Sequence, residues 1–118
     1  DMSDLGWDLS PANIQQVLER LHDKYELPII ITENGLADAT DEHRKWWLTH
    51  TIIAMQRAMA YGVKLEGYLH WSLLDNFEWD KGKWPRFGLI AVDYATQKRS
   101  ARPSAIWLSK TLKKLRGI

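Results

Sequence analysis

Residues 28–35 read Pro28-Ile29-Ile30-Ile31-Thr32-Glu33-Asn34-Gly35, PIIITENG in one-letter code. From Leu27 to Thr32 the run is continuous, apolar and β-branched, with no polar–apolar alternation. Such a run predicts a strand buried on both faces, as in a parallel sheet. The carboxylate and amide that follow therefore leave the strand at its C-terminal end. A Glu beside a core segment has to be solvated, paired or put to use.

The flanking segments extend the pattern. Ser10-Pro11 reads as an N-cap and a first helical proline. Ile14, Val17, Leu18, Leu21 and Tyr25 then recur at helical spacing, so a helix is expected over about 11–25. Thr40-Asp41-Glu42 carries a first-turn signature. A second helix is expected over about 41–61, with Leu48, Ile52, Met55 and Met59 as its core stripe and Gly62 as its stop. Leu65 to Ser72 is a second strand candidate. Strand, helix, strand makes a βαβ unit, expected parallel and right-handed. A polar-aromatic loop follows from Leu73 to Arg86, then a short extended segment over 87–92, turning at Asp93-Tyr94. Pro103 opens a last helix with Leu108, Leu112 and Leu115 on one face. Lys113, Lys114 and Arg116 suit its negative end and read as a solvated face. Repeats, low-complexity tracts and linkers are lacking, so residues 1–118 read as one unit.

Composition sets bounds. The 118 residues are 45% hydrophobic and 26% charged, with a net charge of +1. That balance gives no electrostatic reason to expect nucleic acid or an acidic membrane surface. Cysteine is absent, which removes disulfides and thiolate metal sites. No apolar run approaches the roughly 18 residues of a membrane span. A cytoplasmic location is expected, although the chain begins at Asp1 rather than Met, so its start says nothing of a leader. Seven tryptophans form the one compositional excess, and several lie among polar residues.

In a parallel α/β sheet, function gathers at the C-terminal strand ends. Glu33 is expected one residue past the first strand and Trp71 at the end of the second. Asp75, Asn76, Glu78 and Trp79 follow in the loop. Parallel topology points both strand ends to one rim. Aromatic faces mixed with carboxylates and amides suit a sugar, whose C–H faces stack on indole while its hydroxyls need polar partners. A carboxylate there is placed to act as nucleophile or acid in glycoside cleavage. The plainer readings are a turn at Asn34-Gly35, a surface charge at Glu33 and a core role for Trp71. His70 should face away from Trp71 toward the helices. No ligand-spaced partners accompany it, so no metal is expected. His22, His43 and His50 are expected to be exposed.

Taken together, ITENG at 31–35, GYLHWSLLDNFEW at 67–79, RFGL at 86–89 and VDY at 92–94 resemble family 1 glycoside hydrolases, the retaining β-glucosidases and β-galactosidases. DLGWDLSP at 4–11 resembles the segment before that family's penultimate barrel helix, and RPSA at 102–105 its archaeal members. The resemblance runs in the family's order along nearly the whole chain. It implies the C-terminal part of a (β/α)8 TIM barrel, with 28–32 and 65–72 as strands seven and eight. It also implies Glu33 as catalytic nucleophile and Trp71 as stacking platform. By the same resemblance Glu78 accepts hydrogen bonds from glycone hydroxyls, Trp79 donates its indole N–H, Phe87 lies near the sugar's C6 end, and Asn34 belongs to the substrate site. Asp75 is expected to support the strand end. No cofactor is implied. The expected partners are a β-glycoside substrate and the N-terminal part of the same barrel.

Lys83-Trp84-Pro85 departs from the family pattern, which leaves glycone preference open among glucose, galactose and fucose. The family's acid/base Glu sits in an Asn-Glu-Pro motif on the fourth strand, and that tripeptide does not occur here. A whole barrel of this type needs about 250 residues. The chain is thus expected to hydrolyse β-glycosides only with the rest of the barrel, and to be inactive alone. The competing reading is a non-catalytic sugar-binding or assembly fragment.

Overall fold

A computed structural model describes residues 2–117. In chain order the elements are α1 (Asn13–Tyr25), β1 (Ile29–Asn34), α2 (Arg44–Tyr61), β2 (Leu65–His70), β3 (Ile90–Val92), β4 (Arg99–Ala101) and α3 (Pro103–Leu115). β1 and β2 pair in parallel, with Ile31 opposite Tyr68 and Asn34 opposite His70. β3 and β4 form an antiparallel ribbon, and a bridge between Leu74 and Ile90 ties the ribbon to the segment after β2. The expected β–α–β unit is therefore present. The ribbon strand over 99–101 was not foreseen, because Arg99-Ser100-Ala101 carries no strand pattern.

The core follows the helical periodicity only in part. Leu18 of α1, Met55 and Ala58 of α2 and Val63 form one buried cluster, onto which Ile29, Ile31, Leu65 and Tyr68 pack. Leu36, Trp47, Leu48 and Leu108 form a second, which seats α3 on α2. Val17, Met59 and Leu115, expected in the core stripes, are more than half exposed. The sheet differs in the same way. Ile30 and Leu69 are 55% and 59% exposed, so the strands are covered on one face only. Among the described residues no layer lies over the other face.

The helix starts also depart from the sequence expectation. α1 begins at Asn13 with Ala12 as N-cap, and Ser10 instead donates to the Asp8 carboxylate. The α2 start receives no cap from Thr40 or Glu42. Asp38 accepts the backbone N–H groups of His43 and Arg44 at 3.0 and 2.9 Å. Asp41 is used elsewhere: it accepts Ser104 N–H and Oγ–H at 2.9 and 2.6 Å, capping α3 from 63 residues upstream. Local motif reading misses both caps because the carboxylates arrive from loops that only the tertiary fold brings close. At the other end of α2, Gly62 stops the helix with φ 127° while its N–H reaches the Ala58 and Met59 carbonyls.

Asp75 is 5% exposed and supports the end of β2 as expected. It accepts the N–H groups of Gly88 and Val92 at 2.9 and 3.2 Å, and Arg102 grips both its oxygens at 3.0 and 3.1 Å. Burial pushes this carboxyl up, but the Arg102 bonds and the two N–H groups outweigh it and hold the pKa below the ordinary value. A carboxyl depressed by folding contributes stability above its unfolded pKa of about 3.9, and that contribution is lost as pH falls through the folded value. Chemical denaturation of the chain is thus expected to show falling stability below about pH 4. Asp75→Ala is expected to cost about 3–5 kcal/mol at pH 6, because it strands the Arg102 charge in the interior. Equal midpoints for variant and parent at pH 6 would contradict this role.

Candidate active site

β1 runs two residues further than its sequence pattern indicates, so Glu33 lies within it and Asn34 ends it. β2 ends at His70, and Trp71 N–H donates to the Asn34 carbonyl at 2.9 Å. That bond places the two strand ends side by side. Gly35 makes the approach possible: a Cβ there would lie 1.6 Å from the Trp71 carbonyl oxygen, inside any allowed contact. The Trp71–Ser72 peptide is cis.

The loop after β2 is pinned at its base and free at its tip. Ser72 N–H donates to the Phe87 carbonyl and Leu89 N–H to the Ser72 carbonyl, so residues 86–89 run back along 71–74. Between these pins a tight turn closes through Glu78 N–H to the Gly82 carbonyl at 2.7 Å. Trp79 sits in that turn at φ 40° with its side chain outward, 82% exposed. A bulky residue in the left-handed region is costly, on the order of 1–3 kcal/mol, and persists where the surroundings enforce it. In the departing stretch, Lys83 lies over the Tyr94 ring at 5.0 Å, Trp84 is exposed and Pro85 is buried.

Glu33, Asn34, Trp71, Glu78, Trp79 and Phe87 all border one open cavity of about 410 Å³. The six residues that the resemblance assigns to the site are thus brought to one place, while Asp75 and Asn76 of the same loop do not border it. The four ion pairs among the described residues involve neither Glu33 nor Glu78. Phe87 is almost covered, at 4% exposed, and borders the cavity beside Trp7. Trp7 itself is the wall residue that residue-by-residue reasoning missed. Its ring lies 6.1 Å from that of Phe87, tilted by 49°. The tryptophan excess was the available signal, but nothing local to residues 4–11 tells a wall from a surface ring.

The histidines lie outside this cavity. His70 faces the helices as expected, 6.3 Å from the Trp47 ring. His22, His43 and His50 are half-buried rather than exposed; the Tyr61 ring lies against His22 and the Trp46 ring against His50. Among the described residues no group of His, Asp and Glu is disposed to hold a metal ion, and no helix is long and apolar enough to cross a membrane.

A parallel strand–helix–strand unit with carboxylates and indoles gathered at its C-terminal rim is the layout of an α/β protein that works at its strand ends. Comparison with known proteins narrows the class. The model of glycosyl hydrolase family 1 matches residues 1–116. A β-galactosidase of Sulfolobus acidocaldarius is 45% identical over 88% of this chain and 21% of its own length. β-Glucosidase A of Thermotoga maritima is 40% identical over 92% of this chain and 27% of its own. The crystal structure of a hyperthermophilic β-glucosidase from Pyrococcus furiosus superimposes with a TM-score of 0.93 at 46% identity, covering 96% of this chain and 24% of that one. The chain belongs to glycosyl hydrolase family 1, and its β1–α2–β2 unit is part of a TIM barrel. It spans about a fifth to a quarter of the length of the curated relatives it matches.

Gly35→Ala is expected to force Trp71 away from the Asn34 end of β1. The expected readouts are a shifted tryptophan emission spectrum and a stability loss of about 1–3 kcal/mol. An unchanged spectrum together with an unchanged melting profile would refute the close approach.

Proposed function

We propose that this chain supplies the nucleophile half of a retaining β-glycosidase site, acting with the remainder of the barrel on terminal β-glucosides or β-galactosides. The observation that carries this reading is the convergence of Glu33 with Trp71, Glu78 and Trp79 on one cavity. Glu33 has no ion-pair partner there, so its oxygens are free for a ligand.

Retention needs two carboxyl groups about 5 Å apart. In the first step a Glu33 oxygen bonds to the anomeric carbon as the glycosidic C–O bond breaks. The leaving oxygen takes its proton from a second carboxylic acid, contributed by the part of the barrel that the relatives carry beyond the matching segment. In the second step that group, now a carboxylate, takes a proton from water. The hydroxide attacks the anomeric carbon and releases Glu33. Asp75 is not available as the second group, because Arg102 and two backbone N–H groups already occupy its oxygens. Trp71 supplies a stacking face, Glu78 accepts from glycone hydroxyls, Trp79 donates its indole N–H, and Phe87 lies toward C6. The two-carboxylate reaction draws on no cofactor.

In the assembled barrel a 2-deoxy-2-fluoro β-glycoside is expected to label Glu33, read by peptide mapping, and Glu33→Gln is expected to abolish labelling. The 118-residue chain alone is expected to leave a chromogenic β-glucoside uncut and to gain turnover when mixed with the missing portion. Label on any other residue would overturn the assignment. Sugar binding without turnover in the assembled protein would favour a non-catalytic binding module.

A further inference from the structure

Behind the cavity, Asn34 is held from β2. The Tyr68 hydroxyl lies 3.1 Å from Asn34 Oδ1, 3.3 Å from the Asn34 carbonyl oxygen and 3.2 Å from His70 Nδ1. A phenol has one proton to give and lone pairs to accept with. Both Asn34 oxygens are acceptors only, so the phenol proton is directed to them. The contact with His70 then requires a proton on Nδ1. Nε2 is left as a lone pair, and it is indeed buried without a partner. The opposite tautomer would bury an N–H with no acceptor and set Nδ1 against Asn34 for the same proton.

Protonating both nitrogens is opposed as well. Burial and the charge of Arg44 push His70 down to about 4. Tyr68 is raised by burial, which keeps its hydroxyl proton in place. The order His70 Nδ1–H to Tyr68 oxygen, then Tyr68 O–H to Asn34 Oδ1, satisfies every group except one lone pair. It also has a consequence on the cavity side. With Oδ1 engaged from behind, the amide NH2 of Asn34 is the end left for a ligand.

We propose that Tyr68 and His70 are positioning residues that hold Asn34 as a hydrogen-bond donor, aimed at an acceptor oxygen of the sugar beside Glu33. The proposal rests on the glycosidase reading for the identity of the ligand, but not for the direction of the hydrogen bonds. An amide free to flip would present its oxygen half the time and repel the same sugar oxygen. The locked amide presents one face only.

Two measurements separate the parts. Nitrogen-15 long-range spectra of the chain at pH 7 are expected to show His70 with its proton on Nδ1, and Tyr68→Phe is expected to lose that preference. In the assembled barrel, Tyr68→Phe is expected to raise KM for a chromogenic β-glucoside about tenfold, with a smaller change in kcat. Asn34→Ala is expected to raise KM by a similar factor, and the double variant by no more than the larger single effect. An Nε2–H tautomer in the parent chain overturns the proposal, as does a Tyr68→Phe enzyme with parental KM. Failure of the parent barrel to bind or cleave any β-glycoside would instead remove the functional reading, while the spectra still decide which way the hydrogen bonds run.

Discussion

The rim depends on one buried carboxylate. Asp75 sits in the loop five residues after β2 ends, and it binds two backbone N–H groups and the fork of Arg102. A buried ion pair alone often fails to repay its desolvation. Here the carboxylate is also matched by neutral donors, so few of its lone pairs are left bare. What the arrangement secures is placement. Gly88 and Val92 belong to the returning segment and Arg102 to the start of α3, so three stretches distant in sequence are fixed around one side chain. Phe87 and Trp71 inherit their positions from it.

A second buried charge does the same for the other strand end. The Arg44 side chain is wholly buried, donates to the Asp38 and Arg86 carbonyls at 2.7 and 2.9 Å, and pairs with Asp41. Asp38 and Asp41 in turn terminate the N-terminal ends of α2 and α3. The segment after Glu33 is thereby tied to the segment before Phe87. Polar residues hold the rim together, while the apolar clusters under β1 and β2 hold the layers. Neither set of polar anchors borders the cavity apart from their backbone neighbours.

Elements whose signal is local were legible in the sequence. Three isoleucines in a row, the spacing of Leu48 and Met55, and Pro103 each specify their element without help from the rest of the chain. The order of short motifs made the rim legible too, since parallel strands bring Glu33 and Trp71 to one side. What escaped was set by distance. Asp38 and Asp41 act as caps only because α2 and α3 come to them. Arg99 to Ala101 is a strand only because Ile90 to Val92 lies alongside. Trp7 walls the cavity because its segment folds back over Phe87. The Tyr68–His70–Asn34 chain spans two strands whose register, with its irregularities after Ile29 and Ile31, no periodicity encodes. Val17, Met59 and Ile30 fail as core residues for a different reason: periodicity marks what is apolar, not what is covered.

The turn from Glu78 to Gly82 projects beyond the Asp75 clamp and shares no side-chain hydrogen bond with it. Changes at its tip therefore trade little against folding. Substitutions in this outlying turn and in the clamp therefore fall under separate selection, and the residues that keep the chain folded meet the stricter one.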